Sequence, residues 1–350
     1  MLSYQVEEFG KPLAQALRDT PAPQGTEVLV KIGSSGVCHS DVHLQDGYFD
    51  LGGGNKLDMG RAMQPPRTMG HEIAGTVVAL GPDAQGASVG DRRVVYPWVG
   101  CGTCSLCEAG EEQVCTAPRA LGIHRDGGFA SHVLVPHARY LFAYDPLPEE
   151  QACVYACSGL TAYGALKKAG NLGARDALVI IGAGGVGLSG IRLARQLFPA
   201  TPLTVVEIDK SKWDVARTAG ATELVDPNAE GALKDLLKAT GGGAAAVIDF
   251  VGAAATFNFG LGAVRKAGKL IVVGLFGGST NFVPAMMVLR AQSITASYVG
   301  NPREMGELMT LARAGTLAEM PMSTRPLAEA SAALEDLRAG RIKGRVVLKP

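Results

Sequence analysis

The sequence lacks any imbalance of charge, any basic or apolar leader, and any unbroken apolar run. Its 33 basic and 33 acidic residues cancel, so the electrostatic footprint required by nucleic acid or an anionic membrane is missing. Residues 1–8 carry neither a basic flank nor an apolar stretch, so no export signal is expected and the cytoplasm is the expected compartment. The longest apolar segment, residues 177–191, is interrupted by five glycines and reads as strand, turn and helix, not as a membrane span. Histidine is scarce. Of the six in the chain, three are His39, His43 and His71.

Cysteine, by contrast, occurs seven times and in a pattern. Thiols in a reducing compartment favour metal ligation over disulfides. Cys101, Cys104, Cys107 and Cys115 form a C-x-x-C-x-x-C-x7-C knuckle, and four clustered thiolates close a tetrahedron around zinc with no position left for water. Such a site is structural and contributes on the order of 10–16 kcal/mol of apparent binding energy to local folding. A nucleic-acid knuckle is the alternative, but Glu108, Glu111 and Glu112 adjoin it, and carboxylates repel phosphate. Cys38, His71 and Cys157 are scattered, and two cysteines with one histidine leave a fourth position open, as a catalytic zinc requires. Cys153 has no spaced partner and reads as a small buried hydrophobe.

A chain of 350 residues is long for one core, so two domains are expected. Residues 28–32, 73–80, 93–96 and 130–135 read as short strands between glycine and proline turns. Residues 47–66, rich in glycine and ending in Pro65-Pro66, read as a long loop. Beyond about residue 176, strand-like runs at 177–181, 203–206, 246–250 and 270–275 alternate with helical runs at 186–197, 212–219, 232–240 and 256–266. That alternation predicts an α/β unit with a doubly wound parallel sheet. Two more helical segments and a strand at 345–348 follow.

Gly182-Ala183-Gly184-Gly185-Val186-Gly187 matches G-x-G-x-x-G between an apolar strand and an apolar helix. Gly182 permits the tight turn, Gly184 lets backbone approach a pyrophosphate, and Gly187 lets helix pack on strand. Glu207 ends the next strand, twenty residues on, where an acid would hold the adenosine ribose hydroxyls and repel a 2′-phosphate, favouring NAD over NADP. Asp209 is its rival, though it lies beyond the apolar run.

Taken in order, Gly36-Val37-Cys38-His39-Ser40-Asp41-Val42-His43, Gly70-His71-Glu72, the knuckle, Cys157-Ser158-Gly159 and the glycine turn resemble the zinc-dependent alcohol dehydrogenases of the medium-chain dehydrogenase/reductase superfamily. The bacterial and archaeal members are especially similar. The resemblance implies a GroES-like, mostly-β catalytic domain over residues 1–152 and 296–350, and an NAD-binding Rossmann domain over 153–295. It implies two zinc ions per chain, the catalytic one on Cys38, His71 and Cys157 with Glu72 close behind. Ser40 and His43 would form the proton relay and Asp41 would orient His71. His39 and Arg345 would meet the cofactor pyrophosphate, Gly182, Gly184, Gly185, Val186 and Gly187 its turn, and Glu207 and Lys212 the adenosine ribose. Phe49, Trp98, Ala120, Leu121, Leu275 and Phe276 would line the substrate cleft. This apolar set predicts oxidation of hydrophobic primary or secondary alcohols, and Ala120, where some relatives carry a bulky aromatic, predicts a widened pocket. A homotetramer is expected, with a dimer as the alternative. The rival readings are a polyol or sugar dehydrogenase, a zinc-free quinone or enoyl reductase, and a regulator with a relic zinc site. The zinc-free reductases lack the Cys38 and His71 ligands.

Overall fold

The computed structural model describes all residues 1–350. Two sheet systems organise it. In the first, Leu141–Ala143, Arg92–Val95, Glu72–Leu80, Val28–Gly36, Arg345–Lys349 and Met322–Pro326 lie side by side, and His132–Val135 also pairs with Val28–Gly36. These pairings are antiparallel except that of the last two strands. The C-terminal strand thus closes on the beginning of the chain, with Val347 opposite Gly36. A three-stranded sheet of Ala14–Leu17, Leu2–Val6 and Arg67–Thr68 covers one side.

The second system is a six-stranded parallel sheet in the order Glu223–Val225, Leu203–Val206, Leu178–Ile181, Ala244–Asp249, Val264–Val272, Ser293–Ala296. Its strand order reverses between Leu178–Ile181 and Ala244–Asp249, the switch point beside which such sheets bind ligands. Along Leu178–Ile181 all four side chains are buried. Leu178 and Ile180 join the large core while Val179 and Ile181 join a smaller one, as the two-residue repeat of a strand covered on both faces dictates. Each such side chain stabilises the fold by about 1.5–3 kcal/mol relative to exposure. No helix is long and apolar enough to cross a membrane.

Three expectations need correction. Residues 47–66 are not one loop: Tyr48–Gly52 and Asn55–Asp58 pair as an antiparallel hairpin. The expected helix 256–266 ends at Ala263, because the strand Val264–Val272 starts there without an intervening turn. That strand in turn stops at Val272, leaving Leu275 and Phe276 in the loop beyond it.

Candidate active site

Three termini of regular structure converge. Cys38 is the residue preceding the helix His39–Asp46, His71 immediately precedes the strand Glu72–Leu80, and Cys157 immediately precedes the helix Ser158–Ala169. Two thiols therefore sit at helix N-termini, where the helix dipole favours thiolate. Gly70 turns the chain into this site with φ of +90°, and a Cβ there would lie 2.5 Å from the Phe129 ring.

The sulfurs of Cys38 and Cys157 are 3.9 Å apart, and one donor atom from each of Cys38, His71 and Cys157 lies within 4.8 Å of the others. All three residues are buried. The hydrogen bond from Cys157 pulls the Cys38 thiol well below its ordinary range, and the same contact, with burial, pushes Cys157 well above it. Two thiolates this close cannot both ionise unless a cation lies between them.

Asp41 fixes the histidine. One carboxylate oxygen accepts the Cys38 backbone N–H at 2.9 Å, and the other lies 3.1 Å from His71 Nδ1. Burial opposes charge on His71, but Asp41 outweighs it and, with Cys38, raises its basicity well above the ordinary value. Neither ring nitrogen of fully buried His71 makes a well-aligned hydrogen bond: Nδ1 has only the 3.1 Å contact with the Asp41 carboxylate, and Nε2 has no partner. An orphaned ring nitrogen facing two sulfurs, its other nitrogen held by a carboxylate, is the donor set of a zinc site with a free position.

Glu72 lies behind this set. One oxygen accepts the Ser158 backbone N–H at 3.0 Å and the other pairs with Arg345. Arg345 is buried and lies against the glycine turn, where a Cβ on Gly185 would come within 2.7 Å of its guanidinium. Arg345 therefore spans from the metal donors to the nucleotide cradle. At the cradle, a Cβ on Gly187 would lie 2.0 Å from the Gly182 carbonyl oxygen, whereas a Cβ on Gly184 would meet nothing within 4 Å. Glu207 accepts the backbone N–H groups of Ala183 at 2.7 Å and Asp209 at 2.9 Å, so it also shapes the turn. Lys212 lies 3.7 Å from Asp209.

On the helix His39–Asp46, Ser40 and His43 are three residues apart and share a face. The His39 and His43 rings are 5.3 Å apart; Phe276 lies 6.1 Å from His39 and Phe49 4.7 Å from His43. Burial lowers the pKa of both histidines, which keeps them neutral near pH 7. Trp98 lies 5.4 Å from the His71 ring and donates its indole N–H to the Ala156 carbonyl at 3.1 Å. A cavity of 270 Å³ is bordered by Trp98, Ala120, His124 and Tyr298 together with Glu112 and Cys115 of the knuckle lobe, so Trp98 and Ala120 are the two residues expected at the substrate cleft that line it. Leu121 is fully enclosed in the core, while Leu275 and Phe276 are more than half exposed.

In the knuckle, Cys101 and Cys107 are 3.9 Å apart and Cys104 and Cys115 3.8 Å apart. The Thr103 N–H draws the Cys101 thiol down to about 6, while burial pushes Cys107 up to about 12. Sequence reasoning missed two residues. Glu112 is the buried anchor of this lobe, accepting from Gly100 N–H at 3.1 Å and from the Tyr140 hydroxyl at 2.6 Å. Tyr298 packs edge-on against Trp98 at 5.9 Å. Tyr298 had no signal, because its contact joins distant parts of the chain. Glu112, expected as one of three carboxylates that repel phosphate, is instead buried and bonded inward.

Residues 24–146 match the alcohol dehydrogenase GroES-like domain, and residues 185–314 match the zinc-binding dehydrogenase domain. The chain is 37% identical to an NAD-dependent alcohol dehydrogenase of Sulfurisphaera tokodaii and 35% identical to one of Saccharolobus solfataricus, each over the full length of both proteins. It superposes on the crystal structure of the alcohol dehydrogenase from Aeropyrum pernix with a TM-score of 0.87 and 31% identity, covering all of both chains. With its paired thiols, oriented histidine and dinucleotide turn, the chain belongs to the zinc-dependent alcohol dehydrogenases of the medium-chain dehydrogenase/reductase superfamily.

Proposed function

We propose that this protein is an NAD-dependent alcohol dehydrogenase that interconverts hydrophobic primary or secondary alcohols with their aldehydes or ketones. The observation that carries this reading is the unpartnered Nε2 of buried His71, facing two sulfurs 3.9 Å apart. Cys38, His71 and Cys157 would hold a catalytic zinc, and Cys101, Cys104, Cys107 and Cys115 a structural one. When bound, zinc supplies Lewis acidity at the alcohol oxygen, and NAD supplies the hydride acceptor.

The chain's own residues do the remainder. Asp41 accepts the Nδ1 proton of His71 and so keeps Nε2 free as a donor to metal. Glu72 and Arg345 balance charge behind the donors. The Ser40 hydroxyl accepts the alcohol proton as it gives up its own toward neutral His43 on the same helix face, which passes a proton on toward solvent. His39, Gly182, Gly184, Gly185, Val186 and Gly187 cradle the pyrophosphate, with Arg345 beside them. Glu207 holds the ribose hydroxyls, with Lys212 alongside, and its charge disfavours a 2′-phosphate. Phe49, Trp98, Ala120, Leu275 and Phe276 would line the alcohol site, with Leu121 as enclosed core and not as lining, and their apolar character favours a hydrophobic alcohol over a sugar or polyol.

Residues 1–152 with 296–350 would form the catalytic domain and 153–295 the nucleotide domain, and the protein would work in the cytoplasm. A homotetramer is the assembly we favour, built from dimers. The exposed apolar face on the helix Pro284–Arg290, with Val283, Met286, Val288 and Leu289, next to the edge strand Ser293–Ala296, supports the dimer contact within it. Metal analysis and NADH formation with aliphatic and aromatic alcohols test the activity together. Two zincs per chain and turnover are expected; zinc-loaded protein that oxidises none of them would overturn the reading.

A further inference from the structure

The hairpin Tyr48–Gly52/Asn55–Asp58 follows directly from the helix carrying Ser40 and His43, and its tip touches the other sheet system. The backbone N–H of Gly278 donates to the Leu51 carbonyl at 2.7 Å. A Cβ on Gly52 would lie 2.3 Å from the Gly278 nitrogen and 2.4 Å from its Cα. From the opposite side, a Cβ on Gly277 would lie 2.5 Å from the Asp50 carbonyl oxygen. Two backbones meet here at a distance that only glycine on both sides permits.

The two partners differ in how they are held. The loop carrying Gly277 is fixed to its own sheet: Phe276 N–H donates to Val251 and Gly277 N–H to Gly252, each at 3.1 Å. All four residues of Asn55–Asp58 are exposed, and Leu51 and Leu57 are about half exposed. A lone two-stranded ribbon is marginal in water, and this one has a single hydrogen bond to the nucleotide unit. Its base is held by its own unit, where Phe49 packs on His43 and the Met59 N–H donates to the Gly47 carbonyl, so the glycine contact is what fixes its tip against the nucleotide unit. Phe276, in the loop on the other side of that contact, lies against His39, so one aromatic from each unit meets the histidine pair.

We propose that Gly52 and Gly277 are positioning residues that clasp the hairpin to the nucleotide unit, closing the cleft over bound cofactor and alcohol. This inference rests on the dehydrogenase reading. Gly52→Ala and Gly277→Ala break the contact from opposite sides. Gly54→Ala is the control, since Gly54 shares the hairpin and a φ of +82°, against +80° at Gly52, yet a Cβ there meets nothing within 4 Å. Stopped-flow NADH release and steady-state alcohol oxidation are measured on zinc-loaded full-length protein. Both clasp variants are expected to raise the NADH dissociation rate and the alcohol KM by about five- to tenfold over Gly54→Ala, the size of one lost hydrogen bond and its neighbouring contacts. Zinc content should hold and kcat should not fall, rising where NADH release limits turnover, a split that general unfolding would not give. Clasp variants that match Gly54→Ala in both constants overturn the clasp while leaving the dehydrogenase standing. Wild-type protein that binds no NADH would remove both.

Discussion

Asp41 shows how much one side chain settles at this site. It sits three residues after Cys38, so one oxygen caps the helix that Cys38 precedes while the other reaches His71. Asp41→Asn can still cap through its amide oxygen, but then its NH₂ faces Nδ1 and favours the tautomer with the proton on Nε2. Zinc affinity should fall by about 10–100-fold, read by chelator competition; an unchanged affinity would show that the carboxylate is not what holds His71. Ser40→Ala should leave NADH binding intact and lower turnover by about 10²–10⁴-fold, and full turnover would take Ser40 out of the relay. At this scale the donors were legible because their residue types are chemically restrictive. Glu112 and Tyr298 were not, since a carboxylate or phenol gains its meaning only from the distant groups packed on it.

At the scale of elements, the helix Pro302–Arg313 ties the two units together and makes its own tests. Asn301 accepts the Glu304 N–H at 2.9 Å, Glu304 accepts the Asn301 N–H at 3.0 Å, and Pro302 opens the helix. Asn301→Ala should destabilise by about 1 kcal/mol, seen as an earlier denaturation midpoint. Further along, Lys167 and Tyr163 bond to Glu307 and hold its carboxyl below the usual 4.5. The unfolded chain therefore takes up this proton first on acidification. The stabilisation is complete above pH 4.5 and disappears as pH falls through the lower folded value. Because the pair is partly exposed it is worth only about 0.5 kcal/mol. Glu307→Gln should melt slightly earlier than wild type at pH 7, and the gap should close below pH 4.5; a gap that persists in acid would assign the effect to packing. Apolar runs bounded by turns read well as strands, as at Leu203–Val206. The hairpin after Gly47 did not, because its strands bury so little that no apolar repeat marks them.

Across the whole molecule, the return of the last strand to the first sheet was legible only through family resemblance, since periodicity says nothing about which distant strand a segment joins. The same holds for assembly. The parallel sheet ends in an open edge at Ser293–Ala296, and beside it Val288 and Leu289 stand more than 70% exposed. An open edge next to an apolar helix is a hazard for a soluble monomer, and pairing with a second copy about a twofold axis removes both exposures at once. Replacing Val288 with Glu and Leu289 with Lys adds two charges that no folded contact within the chain opposes, so the protomer should keep its circular dichroism spectrum. Light scattering should then report a smaller species than wild type. If the doubly substituted protein keeps the wild-type mass, this face is not the subunit boundary, and the closed edge of the sheet must be sought elsewhere.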